Sequence, residues 1–223
     1  MNYGDAFTFI FKDKDWLKKL GIASAFGLLV PLLVGMIPLM GWGVEIARRV
    51  IRGDEEILPG WSDLGSILKD GLKAFGVYAI WSAPIWLLSM IMSGAGAAAG
   101  ILSDDSGMAA ASVSMLSLCV SLFSFLYGIV MSLLLVGAFG ILAADGEFSK
   151  ALNPVNAYNR LKANLGDHIL TVIIASIGSS LAAVLGVILC VIGVVIGMAY
   201  GFALIGHLYG QVYRQTEARL LTE

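Results

Sequence analysis

The chain predicts an all-α fold, a polytopic membrane helix bundle, and three observations carry that prediction. Of its 223 residues, 58% are hydrophobic and only 13% charged, about half the charged share of an ordinary soluble domain. All 14 Lys and Arg fall in four short stretches, Lys12–Lys19, Arg48–Lys73, Lys150–Lys162 and Arg214–Arg219. Between them run 20–44, 74–103, 106–144 and 168–213, with no Asp, Glu, Lys or Arg inside. A helix needs about 20 apolar residues to cross roughly 30 Å of hydrocarbon, and each run is long enough. The expected organisation is a single membrane domain over 1–223. It has about five membrane segments, the first bent or re-entrant, plus two or three cytoplasmic interfacial amphipathic helices.

Tyr3, Phe7, Ile10 and Phe11 suggest a first interfacial helix over 3–18. Met1–Phe11 has no basic start, so it does not read as a secretory signal. Segment 20–44 is flanked by Lys18 and Lys19 on one side and by Arg48 and Arg49 on the other. It either crosses once or dips in and returns. Pro31 and Pro38 interrupt helical hydrogen bonding, with Gly35 between them, and this favours the bent version. Re-entrant backbone must then be covered by protein.

A second amphipathic helix is predicted over 61–73, with Trp61, Leu64, Ile67, Leu68, Leu72 and Phe75 at three- and four-residue spacing. Ser62 is its expected N-cap, after Pro59-Gly60. Its apolar face belongs in the interface plane, with Trp61 at headgroup depth. Segments 74–103 and 112–144 are spans joined by the acidic loop Ser103–Gly107. That loop holds Asp104 and Asp105 and no Lys or Arg, so the positive-inside rule places it outside. The basic loops Glu45–Lys73 and Asp145–His168, and the C-terminus, then face the cytoplasm, and the protein belongs in the cell membrane.

The loop at 149–166 repeats the amphipathic pattern with Phe148, Leu152, Val155, Tyr158, Leu161 and Leu165. Pro59 and Pro154 share a 95-residue offset with Gly71 and Gly166, which suggests an internal repeat. Segment 168–213 is twice the length of a span and basic at both ends. It reads as a hairpin of 168–190 and 194–213, turning near Gly193.

Candidate functional residues are few. His207 lies within an otherwise uncharged segment, and an intramembrane ionisable residue is a functional candidate. Its bland alternative is a neutral His bonded to a neighbouring hydroxyl or carbonyl. Glu45 stands three and four residues before Arg48 and Arg49, the spacing of an ordinary helical ion pair. Ala110, Ser114, Ser117, Ser121, Ser124, Gly128 and Ser132 form a stripe of small residues on one helix face. Such a face serves close helix packing or, with Ser117, Ser121 and Ser124, a polar path for a small solute. Gly193, Gly197 and Gly201, and Ala175, Ser179 and Ala183, form two further small faces. Arg48, Arg49, Trp61, Lys73 and Arg160 are expected at the interface, as is His168.

The chemistry these residues exclude is broad. A net charge of −2 gives no basic face for nucleic acid. Two His, and Cys119 and Cys190 each inside an apolar run, give no metal-ligand spacing and read as packing rather than a disulfide. No cofactor is expected, since a haem on His207 would lack a patterned second ligand. No serine is marked as an activated nucleophile, so no catalytic residue and no enzyme is expected. The expected partners are the lipid bilayer and other membrane subunits or a second copy.

Several short motifs resemble a family of uncharacterised prokaryotic multi-pass membrane proteins, found in archaea and some bacteria and classed only as a domain of unknown function. They are Tyr3-Gly4 through Ala6-Phe7, Lys12-Asp13, and Asp15-Trp16-Leu17-Lys18-Lys19. Ala47-Arg48-Arg49, Arg52-Gly53, Leu58-Pro59 with Trp61, Asp70-Gly71-Leu72-Lys73 and His207 through Arg214 follow. The resemblance implies no catalytic residue and no substrate. Three function classes follow. The first is a non-enzymatic module, either an assembly, scaffold or lipid-organising protein or a subunit of a complex. The second is a small-solute or lipid transporter or channel using the Ser face and His207. The third is a membrane enzyme.

Overall fold

The computed structural model describes residues 2–102, 106–188 and 190–221. Every long element among them is a helix: α1 Tyr3–Lys12, α2 Trp16–Gly27, α3 Met36–Arg52, α4 Leu64–Leu102 and α5 Ser106–Asp145. They are followed by α6 Phe148–Leu152, α7 Pro154–Ala163, α8 Leu165–Ile188 and α9 Cys190–Leu220. Four stretches are long and apolar enough to cross a membrane, Leu64–Ala98, Val113–Asp145, Leu165–Ile188 and Ile192–Leu220. On α8, Ile173, Ile177, Leu181, Val184, Leu185 and Ile188 stay exposed, an apolar face that suits lipid and would be a liability in water. The fold is a helical membrane bundle, as the charge pattern predicts.

The chain divides into two compact units, Met1–Val77 with Leu133–Glu223, and Tyr78–Ser132. In the first unit α9 is the central post, packed by α1, α2, α3, α7 and α8. Helices α8 and α9 form the predicted hairpin. Helix α8 ends at Ile188 and α9 begins at Cys190, so Gly193 lies inside α9 and is used for packing: a Cβ on Gly186 would stand 2.5 Å from its carbonyl oxygen. The two predicted small faces meet each other here. A Cβ on Gly201 would lie 3.3 Å from the Ser179 hydroxyl, and one on Gly197 would enter the Ala182 backbone.

Segment 20–44 bends back on itself. Helix α2 stops at Gly27, and Val30–Leu32 makes one 3-10 turn. Leu33 takes a left-handed φ of 63°, and α3 starts at Met36. Pro31 sits in the break. Pro38 lies in the first turn of α3, where its missing N–H has no helical partner to lose. Lys19, near the start of α2, donates to the Leu58 carbonyl at 2.8 Å, and Trp61 Nε1 donates to the Lys19 carbonyl at 2.9 Å. The start of α2 therefore lies against the loop that follows α3.

The predicted interfacial helices take different forms. Residues from Leu64 to Lys73 are the first turns of α4, whose 39 residues span roughly 58 Å at 1.5 Å per residue. Gly71 does not end it, because α4 crosses α3 there. A Cβ on Gly71 would strike the Ile37 carbonyl, and one on Gly41 the Ile67 carbonyl. The stretch 149–166 is split at Asn153, whose side chain caps α7 through Val155 N–H at 2.9 Å. Stretch 3–18 is split by the turn at Asp13–Asp15. Gly71 thus lies inside α4 while Gly166 lies in the first turn of α8, so the 95-residue offset does not correspond to repeated local structure.

In the second unit Pro84 removes a backbone donor from α4. One turn before it, Tyr127 of α5 donates to the Trp81 carbonyl at 2.7 Å.

Candidate functional site: a polar cavity floored by His207

The charged end of the first unit holds a cavity of about 940 Å³, the upper end of the usual range for small-ligand sites. Three walls enclose it: α1 and the turn after it, the Val50–Leu58 loop, and the His207–Gln215 part of α9.

The α9 wall presents His207, Gln211 and Arg214 at i, i+4 and i+7, one face of a helix. His207 is 3% exposed and stacks on Phe9 of α1, ring centres 4.4 Å apart. Its protonation pattern follows from its neighbours. The Asn2 backbone N–H donates to Gln211 Oε1 at 3.2 Å, and Gln211 Nε2 donates to the Asn2 carbonyl at 3.1 Å. A backbone N–H can only donate and a carbonyl can only accept, so the Gln211 amide has one orientation. Its nitrogen also lies 3.1 Å from His207 Nδ1. That nitrogen therefore accepts, the ring is neutral, and the proton sits on Nε2. Among the described residues Nε2 meets no protein acceptor, and His207 lines the cavity.

The loop wall is tied down by Lys19, only 8% exposed. Its ammonium reaches Asp13 at 2.6 Å, Glu56 at 2.7 Å and the Leu58 carbonyl. Burial opposes that charge, but hydrogen bonds and attraction from Asp13 and Glu56 outweigh it and hold the pKa above the ordinary lysine value. On the α1 wall Lys12 pairs with Asp5 at 2.9 Å. Asp15, Asp54 and Glu55 enter no ion pair among the described residues, nor does Lys14. Among the described residues Arg214 reaches only the Val50 carbonyl, at 3.5 Å.

The other sequence candidates build the frame. Glu45 is held by Arg48 at 2.5 Å and Arg49 at 3.2 Å. Arg48 also meets Asp70 at 2.7 Å and the Ala143 carbonyl at 3.0 Å, joining α3, α4 and the end of α5. Its burial disfavours the cation, yet Asp70 and Glu45 raise its pKa overall. Lys73 donates to the Gly146 carbonyl at 2.7 Å. Arg160 meets Glu217 and the Tyr213 hydroxyl, each at 2.8 Å, with its guanidinium over the Tyr213 ring. Trp61, half-buried, stacks on Trp42 and packs on Phe26.

Ser117, Ser121 and Ser124 lie on α5 in the second unit, the first two exposed and the third half-buried. Cys119 beside them is exposed; the Cys190 side chain lies outside the described residues. His168 is 1% exposed, with Nδ1 2.8 Å from the Asn164 carbonyl. It is core rather than interface.

Sequence reasoning missed Lys19, Asp70 and Gln211. Lys19 looks like its neighbour Lys18, and Gln211 carries no local signal. Asp70 stands within reach of Lys73 in sequence, and only the α3–α4 crossing brings it to Arg48.

Fold and site together define a class: a helical membrane protein with a polar cavity at its charged end. The chain belongs to the family described as protein of unknown function (DUF4013), whose model matches residues 25–206. The loop wall lies inside that match, whereas the α1 wall and the His207 wall lie beyond its two ends. No curated protein matches the chain, and no solved structure does.

Proposed function

We propose that the protein is a non-enzymatic membrane module that binds a small polar solute or a lipid headgroup at its cytoplasmic end. The carrying observation is the cavity itself: it reaches His207, whose Nε2–H is a donor without a protein partner. His207 lines the cavity, and a donor there suits a ligand or water. The cytoplasmic reading rests on the positive-inside rule, since the Val50–Leu58 wall belongs to the basic loop Glu45–Lys73.

The tight α8–α9 contact at Gly197 and Ala182 supports binding at one face over a wide conduit. A transport role needs that contact to open. A scaffold role within a larger complex is the second reading. It is supported by the Arg48 and Lys19 networks, which stiffen the charged end without help from the cavity.

The test is complementation of a deletion strain with a scorable defect. His207→Leu is expected to abolish function at normal protein level, and Ser117→Ala and Ser121→Ala to preserve it. Full activity of His207→Leu contradicts the binding reading and leaves the scaffold reading.

A further inference from the structure

The charges left over in the cavity have both signs: Lys14 and Asp15 stand together on the turn after α1, and those of the other two walls differ in sign. Asp54 and Glu55 stand unpaired on the loop wall. Arg214 and the His207 Nε2–H stand on the α9 wall, two turns apart on the same face, about 10 Å along the helix. A simple cation would leave the α9 donors unanswered, and a simple anion would face two carboxylates. A ligand that carries both charges answers both walls. We propose that the cavity takes a small zwitterion, an ammonium group two or three bonds from a phosphate. Its anionic oxygens meet the α9 wall, and its ammonium meets Asp54 and Glu55. Phosphoethanolamine is the type, free in the cytoplasm or as the headgroup of a lipid. This proposal rests on the cavity being the working site.

Charge-assisted hydrogen bonds to phosphate are the stronger ones, and Arg suits phosphate geometry. The buried floor supplies the low-dielectric side that makes such contacts count. Phe9 and Leu58 offer the ligand's short carbon link an apolar surface.

The experiment is calorimetric titration of the full chain in maltoside detergent with three probes: O-phosphoethanolamine, ethanolamine and inorganic phosphate. The expected result is saturable binding of O-phosphoethanolamine, with ethanolamine and phosphate each at least tenfold weaker. Asp54→Asn with Glu55→Gln, and separately Arg214→Gln, are expected to weaken it at least tenfold. These side chains hold none of the ion pairs that brace the fold, so the variants stay folded. In nanodiscs, competition by phosphatidylethanolamine but not by phosphatidylglycerol assigns the ligand to a lipid headgroup; absence of competition assigns it to a free solute. Equal binding of ethanolamine or of phosphate alone overturns the zwitterion and leaves a simpler ligand in the same cavity. Unchanged affinity in the variants also overturns it. No binding of any probe, free or lipid-borne, overturns it too; the cavity reading then falls only if His207→Leu also complements.

Discussion

The Gln211 amide fixes the imidazole of His207: its nitrogen lies 3.1 Å from Nδ1 and can only donate there, because the Asn2 backbone holds the amide's orientation from the other side. An N-terminal segment thus sets the tautomer of a residue 205 positions away. The first prediction follows. Nitrogen NMR of ¹⁵N-histidine-labelled protein shows His207 protonated at Nε2 at neutral pH. Gln211→Glu places an acceptor at Nδ1 and moves the proton there. A wild-type Nδ1–H signal contradicts the assignment.

Arg48 serves three partners from one guanidinium, so its removal leaves partly buried Glu45 with Arg49 alone and Asp70 with Lys73 alone, 3.9 Å away. Stranding a buried charge costs about 3–5 kcal/mol. Because each carboxylate keeps a second, weaker cation, Arg48→Ala is expected to cost less than that in reversible unfolding in mild detergent. Arg48→Lys keeps the charge but loses the fork and falls between. Asp70→Asn costs less than Arg48→Ala, because an amide still accepts.

At the α3–α4 crossing Gly41 and Gly71 bring two backbones into contact. Gly71→Leu forces them apart, an overpacking cost of about 1–3 kcal/mol or more. Gly166 has open space around its Cβ direction, so Gly166→Ala is expected to be neutral or slightly stabilising. Equal melting temperatures for the two variants contradict the crossing.

Lys19 gives a pH signature. Its folded-state pKa lies above the ordinary value of 10.5. A cation with a raised pKa adds stability in full below that ordinary value, and the contribution is lost as pH rises through the folded value. The melting-temperature gap between wild type and Lys19→Met is therefore flat from neutral pH to about pH 9 and narrows above pH 10.5. A gap that widens with alkalinity contradicts the Lys19–Asp13–Glu56 network.

The frame was legible because charge is costly in hydrocarbon, so a long uncharged run bounded by basic residues has few topological solutions. That argument found the 168–213 hairpin and the bend near Pro31. It misplaced the hairpin turn because Gly193 signals equally for a turn and for close packing. The 61–73 pattern revealed an amphipathic face but not that the helix continues, since Gly71 breaks a helix only where no partner backbone wants it. His207 stood out as a lone ionisable residue. Its cavity did not, because the walls come from α1, the loop after α3 and α9, which meet only in three dimensions. The Ser stripe was as regular as any motif in the chain, yet Ser117 and Ser121 are exposed on α5, where periodicity alone cannot distinguish a lipid-facing side from a lining.

Water and solutes are expected to reach His207 from the charged end, proposed above to be cytoplasmic. This is tested most directly by His207→Cys in a chain carrying Cys119→Ser and Cys190→Ala, labelled with a small membrane-impermeant thiol reagent. The account predicts modification in inverted vesicles and none in right-side-out vesicles, with the reaction blocked once a bulky maleimide occupies Asp54→Cys. Modification from the outer side, or a thiol inert in both orientations while Asp54→Cys reacts, contradicts it.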